Sequence, residues 1–429
     1  MGRLAAAKLS YRLVGSHSDE NKYYRNDSDR RSIIFPSFKL DIHDTTVIAS
    51  YERQRVYSPP GGTGILTPTG KWYTGAGDRE LFLPPNDIQT FDRYAFRSQW
   101  IQRFSPNWEM KAQFLQGTYT RFGVGTYAQI VNWNNRTLTF NPYVDDFEMD
   151  FINLQNDIVG RYTIAGMNNQ SMFGASWRKA VSSNRSWTNR NPAVVVPIAP
   201  RAADAVILHD TGNAAAWTRP TLLPRNTAYT SNVYYMHELE PIKDRLRLVA
   251  GIAYSNQDTI NVANMNMPSP QTATKLYSED YLHRLGIIWR FNKEFLIYAN
   301  QSTTFSGNSG VDINNNPLDP VQGTDNEIGF KTAFFNGRLS STVSVFDMKL
   351  TNQAENARGL GVGGSDLNAA GNPFRILIGK TLTRGWDAVV SFAFNEQWQA
   401  IATAYKGTVK DANGRNITRT YDNSWSLFG

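Results

Sequence analysis

The chain has 429 residues, a formal charge of +7, 13% aromatic residues and no cysteine, which excludes a disulfide framework and any Cys-based zinc or redox centre. Mean hydropathy is −0.44, and no run reaches about 18 apolar residues, so no membrane-crossing helix is expected; strands of about 9–11 alternating residues could still cross a bilayer. The basic residues are spread along the sequence, which suits a solvated lumen better than a nucleic-acid surface.

The opening stretch is broken by Lys8 and is too short for a signal peptide, so a barrel with this sequence is expected to need a leader ahead of it. From there the chain alternates. Side chains of a strand point to opposite faces in turn. A leading strand is expected over 4–14, and a hairpin over 31–43 and 46–56 around Asp44-Thr45. Residues 57–90 read as a long loop. Tyr94, Phe96, Trp100 and Phe104 then oppose Arg97, Gln99 and Arg103, before a turn at Ser105-Pro106-Asn107 and a strand from Trp108. Residues 121–143 read as loop, 145–162 and 171–180 as a pair, and 181–226 as the longest loop. Further pairs follow over 228–239 with 245–256, 281–291 with 294–305, 324–335 with 338–350, and 376–394 with 398–408, and a last strand over 420–428. About sixteen strands result. Short turns at one end and long loops at the other predict an all-β, antiparallel transmembrane barrel.

Three short turns share one frame: Phe104 with Trp108, Phe291 with Phe295, and Phe394 with Trp398. By parity both aromatics of each pair share a face, so together they are expected to form a periplasmic aromatic girdle. Charge placement agrees with that phase. A Lys or Arg facing mid-bilayer costs about 2–4 kcal/mol. A slip by one residue would turn Glu109 with Lys111, and Glu327 with Lys331, toward lipid, so these charges are expected to face the lumen.

The most informative stretch is the hairpin that follows Pro317-Leu318-Asp319-Pro320. Ile328, Phe330, Thr332 and Phe334 form one face, and Glu327, Gly329, Lys331 and Ala333 the other. Asn336-Gly337 suits a two-residue turn because both residues tolerate positive φ. The next strand carries Phe346 and Asn352. The following hairpin carries Gly379-Lys380, Arg384-Gly385 and Asp387. The series Glu327-Ile328-Gly329-Phe330-Lys331, then Gly-Lys, Arg-Gly and an acidic residue, resembles TonB-dependent outer-membrane receptors of the siderophore-receptor type. The family more often has Glu where Asp387 stands. The resemblance covers nearly the whole chain. It implies a barrel of 22 strands filled by an N-terminal plug, with the plug and some strands lying outside this sequence. It also implies binding of a ferric siderophore or similar scarce solute, import energised by the TonB complex, contact with outer-membrane lipid and lipopolysaccharide, and a monomer. Asp387 is placed in the lumen with Glu327 and Lys331.

Other constellations do not hold up as sites. Gly359-Leu-Gly-Val-Gly-Gly364 has no helix to follow it, so it lacks the context of a phosphate loop. Asp312-Ile-Asn-Asn-Asn316 starts like a calcium loop, but Pro317 stands where the turn glycine belongs, so it reads as a polar turn. The five histidines lack metal spacing, and no Gly-x-Ser-x-Gly elbow occurs. No catalysis and no cofactor are implied. The loop candidates for ligand contact are Trp72 and Tyr73, then Tyr127, Trp133 and Arg136, then Trp187 and Arg190, because aromatics beside arginines can stack on a flat chelate and pair with its anionic groups. The same residues could instead pack loop against loop. Two rival functions stay open: a passive 16-stranded porin, and a secreted soluble β binding module.

Overall fold

The computed structural model describes residues 7–59, 87–189, 194–201, 224–262, 273–308, 310–357, 374–416 and 422–429, with isolated positions between 65 and 85, at 217–218, and between 359 and 367. Seven strands run in order: β1 (Lys8–Asn21), β2 (Ser28–Ile42), β3 (Thr45–Ser58), β4 (Ile88–Ser105), β5 (Trp108–Asn132), β6 (Thr137–Ile164) and β7 (Met167–Asn189). Two short pieces follow, β8 (Val194–Pro197) and β9 (Trp217–Thr218). Nine more strands complete the sheet: β10 (Arg225–Ile242), β11 (Leu246–Val262), β12 (Ala273–Arg290), β13 (Phe295–Ser306), β14 (Val321–Phe334), β15 (Leu339–Asn356), β16 (Arg375–Ala393), β17 (Gln399–Lys410) and β18 (Asn423–Phe428). Setting aside β8 and β9, the described residues form the sixteen strands that the alternation predicts.

Each long strand pairs antiparallel with the next, and β7 pairs directly with β10. The described ladder runs from β1, paired with β2, to β18, paired with β17. Short turns lie at one end and longer connections at the other. The turn around Asn336-Gly337 is longer than the two-residue turn expected: it spans Phe335 to Arg338 between the paired Phe334 and Leu339, and Phe335, Asn336 and Gly337 all adopt positive φ (55°, 57° and 85°).

Two expected loops are in fact ladder. Residues 121–143 continue β5 and β6, which reach 25 and 28 residues, and β7 continues to Asn189 instead of ending at 180. The first reason is composition: aromatic and β-branched residues around Phe122, Val124, Leu138 and Phe140 keep alternating past any membrane. The second is a small separate core. Ile65, Phe82, Leu138, Phe140, Val196 and Ile198 bury one another at the long-hairpin end, and β8 pairs with β6 from Thr137 to Phe140 to close that cluster.

The barrel wall itself packs differently. Its apolar side chains face outward and stay exposed, among them Ile328 (61%), Val345 (55%), Ile252 (55%) and Phe173 (52%). A belt of this kind needs an apolar solvent, because an exposed patch so large would drive a soluble protein to aggregate. Inside, four glycines each lie directly across from an aromatic ring: Gly117 with Phe151, Gly174 with Tyr234, Gly329 with Tyr298, and Gly385 with Phe346. The missing side chain is the space the ring fills. A Cβ on Gly329 would lie 2.6 Å from the Val343 carbonyl oxygen and 2.7 Å from the Tyr298 hydroxyl.

Two outcomes follow for stability. Gly329→Val should displace Tyr298 and cost about 1–3 kcal/mol through overpacking, seen as a lower unfolding temperature in detergent. Leu138→Ala should cost about 2–5 kcal/mol of local stability at the buried cluster. The check is limited proteolysis, with faster cleavage near the β5–β6 tip while the membrane-spanning strands stay protected.

Candidate functional site: an arginine and aromatic wall inside the barrel

Parity carries the polar residues of β2 to β7 to the inner face, and the tilt of the strands stacks them into a wall. In its upper half, toward the long hairpins, lies a cavity of about 760 Å³. Arg31, Arg93 and Arg178 converge on it with Phe91, Tyr119 and Phe151. They come from five strands, joined by register: Arg93 faces Tyr119, and Asn153 faces Arg178. Phe91, Tyr119 and Phe147 form a chain of rings with centroids 6.2 and 5.9 Å apart. Arg121 lies over the Phe147 ring at 5.3 Å and pairs with Asp145 at 2.6 Å.

The balance of charge at this wall is positive. Glu52 is shared between Arg97 at 2.9 Å and Arg93 at 3.8 Å, so one carboxylate serves two guanidinium groups. Arg31 meets Asp29 at 3.6 Å. Arg178 has no carboxylate partner among the described residues. Guanidinium groups beside ring faces suit a flat anionic ligand, which can stack on the rings and accept bidentate hydrogen bonds. These residues were not singled out from the sequence. The signal was present in part: Arg93 shares the phase of Arg97, and only the pairing of six strands, β2 to β7, brings Arg31 and Arg178 beside it.

The inner face near the short turns is organised around β13–β16. Glu327 accepts hydrogen bonds from the Tyr298 hydroxyl (2.5 Å) and the Asn300 amide (3.1 Å). Lys331 holds its ammonium 5.5 Å from the Tyr298 ring centroid. Asp387 accepts from the Ser344 hydroxyl. Glu109 pairs with Arg103 at 3.4 Å, and Lys111 stands across from Asp157. All five lie on the inner side of the sheet, opposite the exposed apolar belt.

The six aromatics expected to form a girdle lie at the short-turn end. Phe104, Trp108, Phe291, Phe394 and Trp398 are exposed on the outer face. Phe295 is half-buried between Phe291 (5.4 Å) and Phe330 (5.9 Å). Of the loop candidates, Tyr73, Trp133 and Arg136 meet one another. Tyr73 and Trp133 pack edge to face at 5.4 Å against the small upper core, and the Arg136 guanidinium donates to the Tyr73 hydroxyl at 3.2 Å. Tyr127 and Trp187 sit on β5 and β7, with side chains outside the described residues, and Trp72 and Arg190 lie outside them altogether. The Asp312 stretch forms a turn in which backbone N–H groups of Asn316 and Asn314 donate to the carboxylate, each at 2.8 Å. Those bonds, that from Asn316 foremost, hold the Asp312 carboxyl below the usual carboxylate range.

Comparison with known proteins agrees with this architecture. The model of TonB dependent receptor-like β-barrels matches residues 18–429. The metal-pseudopaline receptor CntO of Pseudomonas aeruginosa is 29% identical over 447 aligned positions, covering 96% of this chain and 57% of that protein. The ferric-pyoverdine 358 receptor of Pseudomonas putida is 31% identical over 134 residues, 31% of this chain and 16% of that protein. Among solved structures, the ferripyoverdine receptor of the outer membrane of Pseudomonas aeruginosa superposes with a TM-score of 0.82 at 16% identity, over 98% of this chain and 54% of that one. The chain therefore spans little more than half the length of the receptors it matches end to end. It belongs to the TonB-dependent receptor-like β-barrel family.

Proposed function

We propose that this chain is the barrel portion of an outer-membrane receptor that takes up a ferric siderophore with energy from the TonB complex. The observation that carries the reading is the inner wall, where Arg31, Arg93 and Arg178 meet Phe91, Tyr119 and Phe151 around one cavity. It offers cationic and stacking groups to a flat, anionic chelate. The relatives named above as ferric-pyoverdine and metal-pseudopaline receptors support the ligand class. Their greater length supports a barrel of about 22 strands with a plug domain, of which this chain supplies sixteen long strands.

In this reading the short turns face the periplasm and the long hairpins the exterior. The girdle rings of Phe104, Trp108, Phe291, Phe295, Phe394 and Trp398 anchor the inner interface, while Glu327, Lys331 and Asp387 face the plug. Tyr73, Trp133 and Arg136 brace the outer hairpins, and the same ring and guanidinium edges offer a first contact to ligand at the mouth. Trp72, Tyr127, Trp187 and Arg190 are proposed contacts in the same loops. The receptor works as a monomer, since each barrel encloses its own path.

Two measurements test this. Uptake of radioactive iron as a ferric siderophore should be saturable in cells carrying the natural protein and should stop when the TonB complex is deleted. Uptake that persists without that complex and rises linearly with concentration would instead indicate a passive porin. Arg178→Gln in the natural protein should weaken ferric-siderophore binding about tenfold or more, the scale of one hydrogen bond to a charged group. Unchanged affinity would remove this wall from the site.

A further inference from the structure

The outer wall of β5–β7 carries one side chain that breaks the apolar belt. Parity puts Leu154, Asn156 and Ile158 of β6 in one outward column, which continues to Gly160 opposite the short-turn aromatic Trp108. Leu154 and Ile158 are exposed, as the belt requires. Asn156 is exposed between them, and its carboxamide has no hydrogen-bond partner among the described residues. It stands across from Ala112, four residues along β5 from Trp108. At about 3.3 Å per residue and a tilt of about 40°, that is about 10 Å from the Trp108 row, inside an apolar band about 25 Å tall. Hydrocarbon offers a carboxamide nothing to bond, so this position is costly unless a partner within the bilayer supplies the bonds.

The surroundings of Asn156 narrow the choice of partner. It lies between Ala112 on β5 and Ala175 on β7 in one register row. The three residues form the floor of a shallow trough of about 510 Å³, with Trp100 and Val233 at its two ends. Small residues let a second backbone come close. Close packing and hydrogen bonds, rather than apolar area, are what hold polypeptides together in lipid. An acyl chain could fill the trough, but it would leave the amide without a bond.

We propose that this face pairs with the same face of a second copy of the chain, with Asn156 at the two-fold axis. Copies inserted alike share one orientation, so the axis runs along the membrane normal and a residue at the axis meets itself at the same height. A carboxamide is both donor and acceptor, so two Asn156 side chains satisfy each other. Strands tilted about 40° in each copy cross at about 80° over the interface. The column of Leu154, Asn156 and Ile158 in one copy then lies along the row of Ala112, Asn156 and Ala175 in the other. Large column side chains meet small row side chains on either side of the axis, in both copies. Each barrel keeps its own lumen, so the pair joins two working units and adds no shared path.

The test is self-association of the natural protein in phospholipid vesicles, read as energy transfer between donor-labelled and acceptor-labelled copies at rising protein-to-lipid ratio. The parent should pair. Asn156→Leu keeps the wall apolar and should pair about tenfold more weakly, while Asn156→Gln keeps the amide and should still pair. A parent that stays single at every ratio, or a Leu variant that pairs as the parent does, would overturn the proposal. A Leu variant that fails to fold hands the decision to disulfide trapping in the outer membrane, which this chain permits because it has no cysteine of its own. Asn156→Cys should give a covalent dimer on mild oxidation, and Ile328→Cys, exposed on β14 of the same belt, should not. No dimer through position 156, or equal dimer through both positions, would overturn it.

Discussion

Everything in this molecule depends on one constraint: a backbone crossing hydrocarbon must satisfy its N–H and C=O groups within the protein. A β-sheet does so between strands, and a strand has a period of two. Each residue is therefore committed to lipid or lumen by parity alone. Ile328 cannot face outward unless Glu327 faces inward, and the whole row from Asn300 through Glu327 to Phe346 follows. The inner hydrogen bonds to Glu327 and Asp387, and the exposed belt at Ile252, Val345 and Trp386, are two consequences of the same choice.

The glycine and aromatic pairs show how the inner face absorbs bulk. A barrel lumen lined with large rings needs compensating gaps, and Gly117, Gly174, Gly329 and Gly385 supply them one strand away from Phe151, Tyr234, Tyr298 and Phe346. A glycine in a strand interior ordinarily weakens it. Here the ring covers the exposed backbone, and the strand keeps its ladder. Such pairs hold the lumen side chains in fixed places, which a binding wall requires.

Above the bilayer the constraint relaxes, because water can satisfy the backbone. The chain uses that freedom by continuing β5, β6 and β7 as long ribbons over a small core of Leu138, Phe140 and Val196. Here the structure departs from the local pattern of the sequence. The stretch 121–143 is rich in Gly, Thr and Asn and looks like loop. The alternation around Phe122, Val124, Leu138 and Phe140 is its one local signal, and the ladder forms because β5, β6 and β8 are present to pair with one another.

The sequence alone carried the all-β fold class, the sixteen strands and their phase. It could do so because a two-residue period is local, and a slip exposes charges to lipid at a cost of several kcal/mol. Tertiary structure alone decided which residues become neighbours across strands. Arg31, Arg93 and Arg178 are far apart in the chain yet share one wall. Register is a property of pairs of strands, and no single strand carries it.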